Sequence, residues 1–213
     1  MTESTPRGKL ITVESIDGAG KGTMIEGLHR HLSSTGIDLV LTREPGGTPL
    51  GEAARAIMLD PGMGKLCVET ELLLMFATRA QLVRDVIEPA LAAGKWVLAD
   101  RFTDASYAYQ GGGRGIEKGS IDWLVQFAAR GLVPDLTLLL DVPVEIGRSR
   151  TAGRGDADRI ESEADAFFER VRSKYREMAA AEPDRFRVID ASQSVERVLT
   201  DAIAAVAQYG VRS

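Results

Sequence analysis

Five short apolar runs punctuate the chain, and each is separated from the next by a stretch with a different spacing of apolar residues. Within the runs the apolar residues are nearly continuous, which indicates strands that are buried on both faces. Strands that alternate with helices form parallel sheets with helices packed on both sides. The pattern therefore predicts an α/β protein with a five-stranded parallel sheet, whose strands lie at Leu10–Val13, Ile37–Arg43, Trp96–Asp100, Asp135–Asp141 and Phe186–Asp190.

Between these runs the apolar residues recur every three or four positions, which is the spacing of one helix face. Thr48-Pro49 is a favourable helix start, and the longest helix is expected to be interrupted near Pro89. We expect one domain over residues 1–213, with a disordered start at Met1–Gly8. The predicted helices are Met24 to about Gly36, Thr48–Leu59, Val68–Ala93, Ser120–Arg130, Ser162–Ala181 and Ser194–Tyr209.

The stretch Lys9–Thr23, KLITVESIDGAGKGT, joins the first strand to the first helix through glycines. A strand, a glycine loop and a helix N-terminus together cradle phosphate, because backbone N–H groups turn inward and the helix end is partly positive. A tight glycine turn that contains a lysine by chance is the alternative, and the flanking strand and helix argue against it. The pattern is typical of a three-layer P-loop NTPase fold and predicts ATP-binding residues at Asp17, Gly18, Ala19, Gly20, Lys21, Gly22 and Thr23.

Polar residues end all the predicted strands, at the sheet edge where ligands of parallel sheets bind. At the third strand an acid is followed by an arginine. The carboxylate can hold Mg²⁺, directly or through water, and the guanidinium can bind a phosphate through two parallel hydrogen bonds. A surface ion pair is the alternative, but the glycine loop upstream favours the nucleotide site. The residues at this edge are Glu14, Arg43, Asp100 with Arg101, Asp141 and Asp190.

Three further stretches contain side chains suited to nucleotides. Thr42–Pro49 is a rigid loop rich in proline and glycine, for which a plain turn is an equally good interpretation. Arg55 lies on the helix after this loop, where it could bind a phosphate or be an ordinary surface residue. Ser106–Gly115 suggests a surface that takes a flat ring, with a flexible loop as the alternative. Arginines at 148, 150, 154 and 159 suggest a mobile lid at about residues 148–159, although such runs are usually solvated faces.

Composition narrows the classes of function. The 213 residues are 44% hydrophobic and 27% charged, with a net charge of -5. These values fit a soluble globular protein and argue against nucleic acid or membrane surfaces as partners. No apolar run approaches the roughly 20 residues of a membrane span. Cys67 is the only cysteine, which fits a reducing cytoplasm, and His29 with His31 lie on different faces of a helix.

Together these stretches resemble bacterial thymidylate kinases, from about Leu10 to the last helix. The strings Arg43–Thr48 (REPGGT) and Ala108–Gly115 (AYQGGGRG) are the most specific, and Glu14–Lys21, Asp100–Phe102 and Asp158–Glu161 support them. The resemblance implies the reaction ATP + dTMP → ADP + dTDP, dependence on Mg²⁺ and a homodimer. It leaves no role for nucleic acid or a membrane.

The resemblance also implies roles for single residues. Lys21 and the loop amides would hold the ATP phosphates, and Asp17 would contact the 3′-hydroxyl of dTMP. Arg55 and Arg101 would hold the dTMP phosphate, and Arg79 would bond the thymine. The full set expected around dTMP is Asp17, Arg43, Arg55, Phe76, Arg79, Arg101, Ser106 and Gln110.

Gly18 stands where some relatives place an arginine, and relatives that lack it use lid arginines instead. Arg150 and Arg154 are the lid arginines that this implies. With Lys21 and Arg101 they make up the catalytic residues that the resemblance implies.

Three positions depart from the family pattern. Ser15 replaces a glycine, and Gly22 replaces a hydroxyl residue, so Thr23 is expected to supply the hydroxyl near Mg²⁺ beside Asp100. The thymine-stacking phenylalanine usually lies four residues before the arginine, where this chain has Met75. Phe76 lies three residues before it, on the same helix face. We expect Phe76 to stack because of its aromatic surface.

Two other classes of function stay open on the sequence alone. One is a kinase for another nucleoside monophosphate, adenylate or cytidylate, which the Gly20–Thr23 ending invites and the later motifs oppose. The other is a regulatory nucleotide-binding module without phosphoryl transfer. A turnover assay with ATP against several monophosphates separates them.

Overall fold

The computed structural model describes residues 6–152 and 158–211 of the chain. Its strands form one five-stranded parallel sheet, as predicted. The strands are β1 Leu10–Glu14, β2 Leu39–Arg43, β3 Trp96–Asp100, β4 Leu136–Asp141 and β5 Phe186–Asp190. Their order in the sheet is β2-β3-β1-β4-β5. The central position of β1 places the glycine loop that follows it in the middle of the carboxyl edge.

The helices lie between these strands, close to the predicted ranges. Thr48 caps the helix Pro49–Leu59 by accepting a hydrogen bond from the Gly51 N–H, and Pro49 occupies the first turn of this helix. Within the ranges that the structure describes, no helix combines the length and the apolar character needed to cross a bilayer. The helices are α1 Lys21–Ser34, α2 Pro49–Leu59, α3 Val68–Leu82, α4 Glu88–Ala92, α5 Thr103–Ser106, α6 Lys118–Ala128, α7 Val144–Thr151, α8 Asp165–Ala181 and α9 Val195–Val211.

Apolar side chains fill both faces of the sheet, which explains the continuous apolar runs. Ile11 and Leu98 pack on the side of α1, α8 and α9, whereas their neighbours Leu10 and Val97 pack on the side of α3 and α4. Each fully buried aliphatic side chain stabilises the fold by about 1.5–3 kcal/mol relative to an exposed one. The sheet is therefore held rigidly from both sides, and its loops are fixed at the carboxyl edge.

The structure confirms one expectation, excludes one alternative and corrects one boundary. The long helix is interrupted near Pro89 as expected, by a π-helical turn at Val83–Ile87, because a residue without an N–H cannot complete the regular ladder. The alternative of a flexible loop at Ser106–Gly115 is wrong, because α5 continues into a π-helical turn at Tyr107–Gly113. The expected disordered start fails at Gly8, which is buried and donates to the Leu91 carbonyl; residues 1–5 lie outside the described chain.

Candidate functional site

The loop between β1 and α1 adopts the conformation that its glycines predict. Gly18 and Gly20 have φ angles of 80° and 86°, a region that residues with a Cβ rarely enter. Gly20 directly precedes α1, so the turn presents the N-terminus of that helix. Gly18 also touches the backbone of α7, since an added Cβ would lie 2.1 Å from the Gly147 carbonyl oxygen. An arginine at position 18 is therefore incompatible with this packing.

Lys21 opens α1 and points to the end of β3. Its Nζ atom lies 4.0 Å from Asp100 Oδ1, and its side chain is mostly buried. Burial and the neighbouring Arg101 lower the pKa of Lys21, while Asp100 and Asp17 oppose that shift. A lysine held in this way is a concentrated positive charge beside the glycine loop.

The Oδ1 atom of Asp100 is buried and has no hydrogen-bond partner among residues 6–152 and 158–211. The same ranges contain no cluster of three or more acidic, histidine or cysteine ligands. A carboxylate oxygen that accepts no hydrogen bond suits Mg²⁺, which is usually bound through one or two carboxylates together with substrate phosphates. Thr23 lies exposed in the first turn of α1. The residues present fit a magnesium ion carried in with a nucleotide.

Arg101 is the centre of the polar contacts beside the loop. Its φ angle is 71°, and its guanidinium donates to the Ser15 carbonyl at 2.7 Å, to Asp17 Oδ1 at 2.8 Å and to the Tyr109 hydroxyl at 3.0 Å. Burial alone would lower the pKa of Arg101, but Tyr109 and Asp17 reverse this and raise it. For the acid Asp17 the signs are opposite: burial alone would raise its pKa, but the neighbouring charges of Arg101 and Lys21 lower it. Both groups are therefore charged at neutral pH.

Glu14 supports this arrangement from behind. Its carboxyl group accepts hydrogen bonds from the Phe102 N–H at 2.8 Å and from the Tyr175 hydroxyl at 2.6 Å. Burial, followed by repulsion from Asp104, raises the pKa of Glu14 to about 8. Its contact with the residue after Arg101 fixes the backbone that carries the guanidinium.

A cavity of about 110 Å³ opens next to Asp17 and Arg101. Arg55 lies on its wall, with its guanidinium donating to the Pro45 carbonyl at 2.9 Å, and Gln110 also lines it. Met75 also lines the cavity. Four predicted dTMP-binding residues are therefore gathered in one concave site: Asp17, Arg55, Arg101 and Gln110.

Arg79 and Ser106 are buried and do not line this cavity. Arg79 is fully buried, and it donates to Glu44 twice, to the Ser106 hydroxyl and to the Phe102 carbonyl. Burial raises the pKa of Glu44, and Arg79 opposes that shift. These four hydrogen bonds use most of the guanidinium, so the role of Arg79 toward thymine stays a prediction.

The preference for Phe76 over Met75 needs correction. Phe76 is buried in a cluster with Leu72 and Ile121, and the Arg79 guanidinium carbon lies 4.4 Å from its ring centre. Met75 has the cavity-lining position instead. Adjacent helical residues point in directions about 100° apart, so only one of the two can face the cavity. The phenylalanine supports Arg79 rather than contacting the cavity.

The remaining predicted site residues either do not line the cavity or lie outside the residues that the structure describes. Arg43 is largely exposed and pairs with Glu52 at 2.7 Å, away from the cavity lining. Arg150 donates to the carbonyls of Ala191 and Ser192, in the turn after β5. Arg154, with Gly153 and Gly155, lies outside the described residues.

Two acids of the sheet edge serve other purposes. Asp141 accepts from Arg172 of α8 at 2.6 Å and 3.1 Å. Asp190 accepts from Ser192 and Gln193 in the turn that follows it. Their position at the carboxyl edge was predicted, but their side chains are committed to local structure.

Sequence reasoning missed Glu71 and Tyr175. Glu71 is a buried acid on α3 that lines the cavity and binds two arginines. A charged residue at the start of a strongly apolar helical stretch was the available signal. Tyr175 contacts Glu14 from the distant helix α8, and its sequence surroundings gave no signal.

This chain is similar to proteins named thymidylate kinase. The family profile described as Thymidylate kinase matches residues 13–202. The chain is 53% identical over 194 residues to the thymidylate kinase of Pseudomonas putida (strain GB-1), which covers 91% of this chain and 92% of that protein. It is 53% identical over 192 residues to that of Cupriavidus metallidurans (strain ATCC 43123 / DSM 2839 / NBRC 102507 / CH34), covering 90% and 94%.

The crystal structure of thymidylate kinase from Ehrlichia chaffeensis is similar to this fold with a TM-score of 0.78 and 32% identity, covering 95% of this chain and 100% of that chain. These matches span the phosphate loop, the cavity and nearly the whole sheet. The chain therefore belongs to the thymidylate kinase family of nucleoside monophosphate kinases.

Proposed function

We propose that this protein transfers the γ-phosphoryl group of ATP to dTMP, giving ADP and dTDP. The observation that carries the proposal is that the phosphate loop directly adjoins the cavity, because Asp17 belongs to both. Asp17 belongs to the loop and also lines the cavity, and Arg101 binds Asp17 at 2.8 Å while lining the same cavity. A donor phosphate on the loop and an acceptor in the cavity would therefore meet at this pair.

Phosphoryl transfer depends mainly on positioning and on stabilising charge as it moves. Lys21 and the N-terminus of α1 bind the donor phosphates, and Arg55 with Arg101 binds the acceptor phosphate. Because Arg101 is fixed by Ser15, Asp17 and Tyr109, its charge needs little rearrangement during the reaction. Asp17 orients the acceptor sugar.

Mg²⁺ bound with ATP would neutralise phosphate charge, and Asp100 with Thr23 would hold it. The Oδ1 atom of Asp100, which accepts no hydrogen bond within the described residues, supports this assignment. Titration of Mg²⁺ against turnover in Asp100→Asn tests it, with a raised Mg²⁺ requirement as the expected result. Unchanged Mg²⁺ dependence would assign the metal to other groups.

Arg150 and Arg154 would complete the charge stabilisation from the lid at about residues 148–159. Gly18 supports this role, since it leaves the phosphate loop without an arginine and its contact with Gly147 admits none. A lid arginine of this kind contributes roughly 10³- to 10⁵-fold to kcat. The contact of Arg150 with the turn after β5 would then have to open for catalysis.

The test of the function is a coupled assay for ADP with ATP as donor and dTMP, UMP, dCMP, GMP or AMP as acceptor. We expect dTMP to give the highest kcat/KM. Preference for AMP or dCMP would favour a different monophosphate kinase, and binding of ATP without turnover would favour a regulatory module. Lys21→Ala serves as the inactive control.

A homodimer in the cytoplasm is the state that we infer for the working enzyme. Trp123 and Phe127 of α6 are 62% and 72% exposed, and their rings stack at 5.1 Å, with Leu73 of α3 also exposed nearby. Exposed apolar patches of this kind mark protein interfaces. A second copy would cover this face, and Trp123→Glu should shift the mass in sedimentation equilibrium from dimer to monomer. An unshifted mass would assign the interface to another face.

A further inference from the structure

Two residues of the cavity lining, Glu44 and Gln110, each have a buried side-chain oxygen without a hydrogen-bond partner in the described part of the chain, and the amide of Gln110 is the uncharged one. Gln110 is 4% exposed, and its Oε1 atom is buried without a hydrogen-bond partner within residues 6–152 and 158–211. The other end of the same amide donates from Nε2 to Glu71 Oε1 at 3.0 Å. Leaving a buried carbonyl unsatisfied is unfavourable, so this atom is placed for a donor that arrives with a ligand.

Glu71 is held as an ion by its surroundings. Arg114 donates to both of its oxygens, and Arg159 donates to Oε2 at 2.7 Å. Burial would raise the pKa of Glu71, but the hydrogen bonds from Gln110, Arg114 and Arg159 lower it. An ionised carboxylate accepts hydrogen bonds and donates none. The Gln110 amide must therefore turn its NH₂ group to Glu71 and its carbonyl oxygen to the cavity.

We infer that Glu71 is a positioning residue that sets the base preference of the acceptor site through Gln110. The carbonyl that Gln110 presents is complementary to a pyrimidine with a ring N–H, such as thymine or uracil. It is mismatched to cytosine, whose N3 atom is itself an acceptor. The inference rests on the proposed function, because it takes the cavity as the acceptor site.

The opposite orientation of the amide is strongly disfavoured. It would place the Gln110 carbonyl against the Glu71 carboxylate, so that two acceptors would face each other in a buried site. Discrimination between thymine and cytosine therefore comes from the fixed orientation of the Gln110 amide. Glu71, which binds Gln110 rather than the base, sets that orientation. A site with its hydrogen-bonding groups fixed in this way rejects ligands that leave those groups unpaired.

Glu71→Gln tests the role of the charge, because the amide can donate and so permits Gln110 to turn around. In the ATP-coupled assay we expect the ratio of kcat/KM for dTMP to that for dCMP to fall by roughly tenfold or more. The change should appear in KM for the acceptor, with KM for ATP unaltered. Glu163→Gln is the matched control, since Glu163 binds the same Arg114 but does not line the cavity.

Gln110→Leu removes the carbonyl directly and leaves Glu71 with both arginines. This variant should lose the same preference, and adding Glu71→Gln to it should change the dTMP to dCMP ratio little further. An unchanged ratio in folded Glu71→Gln, or in Gln110→Leu if the first variant does not fold, overturns the inference. The wild-type assay separates the two proposals: failure to phosphorylate dTMP refutes the proposed function, whereas normal dTMP turnover with unchanged ratios in the variants refutes only this inference.

Discussion

Replacing Gly147 by alanine should displace the phosphate loop. An alanine Cβ at this position would lie 2.7 Å from the Asp17 carbonyl oxygen, and ordinary contacts begin at 3.4 Å. The loop must therefore retreat by about 0.7 Å, or α7 must move by the same distance. Such overpacking costs about 1–3 kcal/mol. If the loop yields, this energy corresponds to a loss of roughly 5- to 150-fold in kcat/KM for ATP.

Steady-state kinetics at varied ATP, together with thermal unfolding, provides the measurement. Alanine is a better helix former than glycine by about 0.5–1 kcal/mol, which offsets part of the overpacking cost in Tm but none of the loss in kcat/KM for ATP. Gly119→Ala is the control, because a Cβ in that helix meets its nearest atom, Glu117 Oε1, at 3.9 Å. Unchanged kcat/KM for ATP in Gly147→Ala would refute the idea that α7 sets the position of the loop.

Three further substitutions test other parts of the site. Lys21→Ala should lower kcat by roughly 100-fold or more in the coupled assay, by removing a fixed charge from the transferring group; a smaller loss would remove it from the catalytic residues. Thr23→Val keeps the shape and loses the hydroxyl, so the Mg²⁺ concentration for half-maximal turnover should rise, and no rise would argue against Thr23 as a metal partner. Glu14 keeps its proton to about pH 8 in the folded state but has a pKa of 4.5 when unfolded, so its contribution to stability, full below pH 4.5, is lost as the pH rises toward 8. Urea unfolding should show Glu14→Gln gaining stability relative to the wild type between pH 5 and pH 8.5, and parallel curves would show that Glu14 titrates normally.

The sheet and the phosphate loop could be predicted because their signals are local. Each strand is a short apolar run, and Gly18, Gly20 and Lys21 follow the first one directly. The parallel arrangement then brings Asp100 beside Val13 in the register of β3 and β1. The proximity of Lys21 and Asp100, which lie in separate parts of the chain, could therefore be predicted from the parallel sheet alone, without knowledge of side-chain packing.

Which side chains face the cavity and which are buried in the interior could not be predicted in the same way. Helical spacing places Met75, Phe76 and Arg79 near one another, but it does not say which of them faces the cavity. That choice depends on Glu44, which lies 35 residues before Arg79 and draws its guanidinium into the interior. The buried pair between Glu44 and Arg79 therefore explains why the aromatic residue supports the site from below.

The glycines of the segment Tyr107–Gly113 have a packing role that the sequence did not reveal. A Cβ on Gly113 would lie 2.4 Å from the Phe167 ring of α8, so this glycine admits a close approach of a helix, and the suggested role of the segment at a ligand surface stays a prediction. Helix α8 thus packs against this turn just as α7 packs against the phosphate loop at Gly18. Both helices that follow β4 reach the site through glycine backbone, so their positions fix the loop and the cavity wall directly. A substitution that adds volume at either contact must change the geometry of the site even though it removes no polar group.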